Sequence, residues 1–309
     1  MAYLYLSLAA LFWSGNFVVG RAVNGRIPPV ALAFWRWTAA LAILLVVARR
    51  PLAAQWRTLA RAWPIVVPLG ILGVGNFNTL VYLGLTETTA TNALLLQSAC
   101  PALVVAIAAA FGAGRPSPAQ VAGIALSLAG VAVILAKGAP AALSAVDLSR
   151  GDLWVLLAVL SWSVYTLLLA RRPKEVDPLA LLTALVLVGV LWIAPWYALE
   201  AARGARLRAD GTTLAAVAYT AVFASVAAYA LWNAGVARVG ASRASVFLHL
   251  MPACGSLLAI AVLGERFQAF HAAGIALILL GVWRAGIAGP VAPARQAASG
   301  IASSPRSSS

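Results

Sequence analysis

The chain is a series of long apolar runs separated by short charged gaps. Read from charge to charge, the first half offers Ala2–Gly20, Val30–Ala48, Ile65–Leu85, Thr89–Phe111 and Gln120–Ala136. The second half offers Leu153–Ala170, Leu179–Leu199, Thr213–Ala237, Ala244–Leu263 and Ala269–Trp283. A helix needs roughly 20 mainly apolar residues to cross about 30 Å of hydrocarbon. The strands of a membrane barrel need only about 10 alternating residues, so length excludes them. The pattern predicts an all-α integral membrane protein of ten transmembrane helices.

The gaps carry turn signals: Asn24-Gly25 with Pro28-Pro29, Gly112–Pro118, Arg171-Arg172-Pro173, and Gly204 with Asp210-Gly211. The longest, Gly138–Gly151, lies near the midpoint. After Trp283 the composition turns to Ala, Ser, Pro and Gly and ends in Ser-Ser-Pro-Arg-Ser-Ser-Ser, which predicts a tail with no core to join. The first run lacks a basic leader and is followed by Arg21, so it is expected to remain as a span and not to be cleaved.

The two halves superimpose in register. A shift of 149 residues puts Trp13 on Trp162, Ser14 on Ser163 and Pro29 on Pro178. A shift of 151 puts Gly84 on Gly235, Ala90 on Ala241, Pro101 on Pro252 and Arg115 on Arg266. The same shift aligns an identical Ala-Gly-Ile-Ala-Leu at 122–126 and 273–277, followed by Gly130 and Gly281. A repeat with five crossings must re-enter from the opposite face, so the prediction is two inverted five-helix repeats. The expected division is 1–137 and 151–286 for the repeats, with a linker at 138–150 and a disordered tail at 287–309. Inverted repeats suit secondary transporters, whose halves rock about a midplane site.

Composition agrees with the lipid environment: 63% of the 309 residues are hydrophobic and only 10% charged, against about 25% charged in a soluble domain. The formal charge is +14, but the basic residues sit in the gaps, where they meet headgroups and set orientation, and they form no nucleic-acid-binding face. With the N-terminus cytoplasmic, 13 Lys and Arg fall inside and 8 outside, which predicts both termini in the cytoplasm of a multi-pass inner-membrane protein. Cys100 and Cys254 offer no metal or disulfide spacing, and neither metal nor cofactor is expected.

Several residues carry a family likeness. They are Trp13-Ser14 in the first run, Arg36 in Phe34-Trp35-Arg36-Trp37 after Pro29, Pro101 and Pro252, and Leu263-Gly264-Glu265-Arg266 followed by Gly274-Ile275-Ala276-Leu277 with Gly281. Over nearly all of residues 3–285 this pattern resembles the EamA-type transporters of the drug/metabolite transporter superfamily. The resemblance implies a ten-helix inner-membrane carrier that moves metabolites, often as an exporter of amino acids. Gly112-Ala113-Gly114-Arg115 departs from the family's Gly-Glu-Arg form in the first repeat.

The candidate site residues are polar or aromatic groups inside apolar runs. Asn16, Asn78, Gln97 and Asn233 should face the bundle, since an amide in lipid costs several kcal/mol; they either link helices or line a cavity. Trp13 with Asn16, its repeat mates Trp162 and Tyr165, Tyr82 on the third run, and Tyr229 with Trp232 on the eighth recur at helical spacing; an interfacial belt is the alternative for the aromatics, but Trp13, Trp162 and Tyr229 lie too deep for one. Pro101 and Pro252 free backbone carbonyls mid-span, for a cavity or for a packing kink. Arg36 either meets a substrate carboxylate, snorkels outward or bonds backbone carbonyls. His249 is either an ionisable site group or a neutral ring bonded to a neighbour. Gly123, Ser127, Gly130, Gly274 and Gly281 predict close packing of spans five and ten, within the chain or in a homodimer.

All eight acids fall at span ends or in gaps, so no carboxylate proton relay is available at the midplane. Proton coupling would fall to His249; otherwise the chain is a facilitator or exchanger. No HExxH, paired intramembrane aspartates or Cys–His arrangement supports a membrane enzyme, no Walker A sequence supports ATP coupling, and the repeat leaves a channel open as an alternative. With Arg36 the only intramembrane cation, phosphorylated cargo fits less well than amino acids or related amphipathic metabolites.

Overall fold

The computed structural model describes residues 1–23, 25–88, 93, 96–111, 116–136, 149–263 and 268–287. The start of the fourth run, Gly112–Arg115, most of the expected linker, Gly264–Arg266 and the tail from 288 lie outside the described residues. Those described are helical and form no strand.

Six helices are long and apolar enough to cross a membrane. They are α1 (Ala2–Ala22), α2 (Pro29–Val47), α4 (Trp63–Glu87), α7 (Arg150–Leu168, continued by one 3-10 turn), α8 (Pro178–Ala202) and α9 (Gly211–Val239). Shorter apolar helices are α5 (Cys100–Ala110), α6 (Pro118–Leu135) and α12 (Ala269–Ile287). The ninth run is broken: α10 (Ala241–Val246), a 3-10 turn over Phe247–His249, then α11 (Leu250–Leu263). In hydrocarbon a helix is stable because every backbone group is satisfied within the segment. Leu187, Leu191, Trp196 and Leu199 of α8 are exposed, which in a bilayer is a lipid-facing surface. The protein is a multi-pass α-helical membrane protein.

Local chemistry sets the helix ends. Ser149 and Asp152 form a capping box on α7, Asp177 accepts from Leu179 and Ala180 N–H at the start of α8, and Asp210 accepts from Thr213 N–H at the start of α9. Gly240, at φ +82°, ends α9. The Glu200 carboxylate at the end of α8 accepts from Val30 and Ala31 N–H (3.1 and 2.8 Å), capping α2 from across the bundle.

One gap is not a turn. Residues Arg49–Arg61 form an amphipathic helix, α3, with Leu59 buried while Arg49, Arg50, Arg57, Arg61 and Trp56 are exposed. Its high charge hid it in a search for apolar runs. The small residues of α6 and α12 meet each other within the chain: a Cβ on Gly130 would lie 2.6 Å from the Gly274 carbonyl, and one on Gly281 2.6 Å from that of Gly123. Packing this close needs glycine on both helices.

Candidate functional site

Two π-helical turns shape the centre of the bundle, Gly70–Asn76 in α4 and Thr220–Ala227 in α9, at positions about one repeat shift apart. Each widens its helix and displaces the downstream face, a feature that marks functional sites in many proteins. Glycines let neighbours close on the first: a Cβ on Gly70 would meet Val188 at 2.6 Å, and one on Gly75 would meet Trp192 at 2.6 Å. In the second, Ser225 donates to the Thr220 carbonyl (2.8 Å).

The bundle also encloses a narrow cavity. Trp13, Asn16 and Phe17 of α1 line it with Phe77, Asn78 and Val81 of α4. Gln97, Trp162 of α7, Leu248 in the break between α10 and α11, and Met251 at the start of α11 complete the wall. The indoles of Trp13 and Trp162 meet edge to face at 5.1 Å, and Phe77 leans on Trp162 at 4.7 Å. Trp13 Nε1 donates to the Ala224 carbonyl in the second π turn (2.9 Å), which fixes its ring. Two polar atoms on the wall are buried without a partner, Trp162 Nε1 and Gln97 Oε1. Buried polar groups are ordinarily paired, so these are free for a ligand.

Behind the wall stands Arg36, fully buried. Its Nη1 donates to Asn16 Oδ1 (3.0 Å), Asn78 Oδ1 (3.0 Å) and the Tyr82 hydroxyl (2.6 Å), and its Nε donates to Ser225 Oγ (2.9 Å). Its guanidinium also lies over the Trp37 ring, 5.1 Å from the centroid. Arg36 therefore neither snorkels nor caps backbone carbonyls; side-chain oxygens on α1, α4 and α9 hold it. Tyr82 donates onward to Asn16 Oδ1 (2.8 Å), and Asn78 donates to the Tyr229 hydroxyl (3.1 Å), which donates to the Gly73 carbonyl (2.5 Å).

Of the expected site residues, Trp13, Asn16, Asn78, Gln97 and Trp162 line the cavity. Arg36, Tyr82, Tyr229 and Trp232 are buried behind it, and Tyr165 donates to the half-buried Asn233 (2.7 Å). Three are placed elsewhere. His249 bonds the Ser127 hydroxyl through Nδ1 and the Ser98 carbonyl through Nε2 (2.8 Å), a link between helices, so the bonded-ring reading is the one seen. Pro101 and Pro252 each sit in the first turn of a helix that follows a break, at Ser98–Ala99 and Phe247–His249, and neither lines the cavity. Phe77, Val81, Leu248 and Met251 were not legible as site residues, because apolar side chains in apolar runs carry no signal.

Several residues touch their own counterparts under the sequence shifts. Trp13 packs on Trp162, Asn78 bonds Tyr229, and His249 bonds the Ser98 carbonyl. Gln97 and Leu248, also counterparts, face the same cavity.

A lipid-embedded helical bundle enclosing a cavity of aromatic and amide side chains is an architecture in which membrane transporters hold small molecules. A sequence model described as the EamA-like transporter family matches residues 1–136 and again 149–285, and the chain belongs to that family. Similar proteins include an uncharacterized transporter of Bacillus subtilis, YyaM, 26% identical over 91% of this chain and 92% of its own. A probable terminal-alkyne amino-acid exporter of Streptantibioticus cattleyicolor is 26% identical over 90% of each chain. A probable amino-acid metabolite efflux pump of Salmonella typhimurium is 25% identical over 89% of this chain and 91% of its own. A solved crystal structure, 22% identical, matches the fold with a TM-score of 0.72 over 92% of this chain and 96% of its own.

Proposed function

We propose that the protein is a secondary transporter that exports amino acids or related amphipathic metabolites by alternating access. The observation that carries this reading is the cavity itself, walled by aromatic rings and carboxamides from both matched segments, at a place where counterpart residues touch. Such a wall suits a cargo with an apolar body and a few polar groups. In this reading ten spans form two inverted five-helix repeats, 1–137 and 151–286, and both termini are in the cytoplasm of an inner-membrane protein. The names of the relatives from Streptantibioticus and Salmonella support the cargo class and direction. His249 is absent from the cavity wall, which supports a facilitator or exchanger over a proton-coupled carrier.

The test is metabolite profiling of cells with and without overexpression of the chain. Raised extracellular and lowered intracellular levels of one or more amino acids are expected. Unchanged amino-acid pools under robust membrane expression would sink the cargo assignment.

A further inference from the structure

The guanidinium of Arg36 is used unevenly. Nη1 carries two hydrogens but faces three acceptors within 3.0 Å, Asn16, Asn78 and Tyr82. Nη2, also buried and also carrying two hydrogens, has no acceptor at all. No carboxylate lies within ion-pair distance among the described residues, so neutral oxygens and ring faces alone offset the charge. A buried cation without a counter-ion is held against the cost of its desolvation, which an anion entering the cavity would relieve.

The cavity wall points to the same ligand. Asn16 and Asn78, both on the wall, are the residues that cover Arg36. Both hydrogen bonds at Asn16 use its Oδ1, leaving its amide N–H groups for a ligand. Trp162 adds an unpaired N–H on the same wall, and Gln97 Oε1 is the one unpaired acceptor there among the described residues. Donors with no acceptor therefore outnumber acceptors with no donor.

Resting on the transporter reading above, we infer that the cavity receives the carboxylate of its cargo, with Arg36 as the counter-charge. A carboxylate entering beside Asn16 and Asn78 takes the acceptor role that their oxygens now crowd onto Nη1 and engages the free Nη2 edge, the two-armed geometry that distinguishes arginine from lysine. The apolar part of the cargo lies against Trp13, Trp162 and Phe77. The ligand class is thus an aryl or alkyl carboxylate, the amino acids among them, and the neutral amide of the same skeleton is discriminated against.

The test compares 3-phenylpropionate with 3-phenylpropionamide at neutral pH, binding to the full-length protein in lipid nanodiscs and read by the fluorescence of its cavity tryptophans. The acid is expected to bind at least about tenfold tighter than the amide to the wild type. Arg36→Gln should bring the ratio to near one, and Arg36→Lys should leave it between the two. Equal binding of acid and amide by the wild type, binding of neither, or a preference that survives in Arg36→Gln would overturn the inference. The acid-to-amide ratio of the wild type decides the matter even if the variants do not fold. A failure of the transporter reading appears elsewhere, as the absence of counterflow in vesicles, whatever this ratio is.

Discussion

In the segment 1–136, Tyr82 on α4 donates to Asn16 on α1 (2.8 Å); in 149–285, Tyr165 on α7 donates to Asn233 on α9 (2.7 Å). Residues 16 and 165 are counterparts, as are 82 and 233, so the same bond joins the same two positions with tyrosine and asparagine exchanged between helices. The charge is not repeated. Arg36 ties its pair to Ser225 of the other segment, whereas its counterpart Leu185 is a buried apolar residue and leaves Asn233 half-buried. The scaffold is shared between the segments and the electrostatics are not. One tyrosine–asparagine pair is laced across the two segments by a cation; the other is joined by a neutral hydrogen bond.

The strongest way to break this comparison is Arg36→Leu, which gives the first segment the character of the second. Four side-chain oxygens lose a donor, and transport per folded molecule should fall by about 100-fold or more, the equivalent of one charge-assisted hydrogen bond at roughly 2.7 kcal/mol. Vesicle uptake normalised to monodisperse protein measures it. Next in size are Gly130→Leu and Gly281→Leu. Each drives a side chain into the facing helix backbone, and both should lower the thermal midpoint by similar amounts, at about 1–3 kcal/mol or more. A tolerant Gly281→Leu beside an intolerant Gly130→Leu would show that the two positions are not equivalent.

An effect of comparable size bears on the two tyrosines. Tyr82→Phe removes a hydroxyl that serves a cation as well as Asn16 and should cost about 1.5–3 kcal/mol, whereas Tyr165→Phe should cost about 0.5–1.5 kcal/mol. Chemical denaturation in mixed micelles reads the difference. The smallest effect lies at the surface, where Asp210 caps α9 and pairs with Arg26 at 3.6 Å. The Thr213 N–H, with Arg26 beside it, holds the Asp210 carboxyl below its ordinary value. A depressed carboxylate contributes stability above its unfolded value and loses it as pH falls through the folded one. Asp210→Asn should therefore lower the thermal midpoint slightly at neutral pH, and the difference should shrink progressively as pH falls below about 4.

The long apolar helices were legible because lipid forces the hydropathy signal, and α1, α2 and α8 begin and end within a few residues of the runs that predicted them. The helix α3 was not, since its arginines read as a gap. The polar candidates Asn16, Asn78 and Gln97 could be found because an amide has no place in lipid. The role of Arg36 was not, since its partners come from three helices far apart in the chain. His249 stood out as an ionisable residue inside an apolar run, with a ring bonded to a neighbour as the alternative, and its bonds to Ser127 and the Ser98 carbonyl come from segments far away in the chain. The π turns are likewise invisible to a period of 3.6, and each shifts the face presented by the residues that follow it.

The central claim is that the cavity between the two segments is a transport site, and counterflow in reconstituted vesicles tests it most directly. Vesicles loaded with an unlabelled amino acid should accumulate the labelled one transiently and saturably, and Asn78→Ala protein of equal yield should lose that overshoot. An overshoot unchanged by Asn78→Ala and by Trp162→Ala, or none for any amino acid or related carboxylate, would contradict the account.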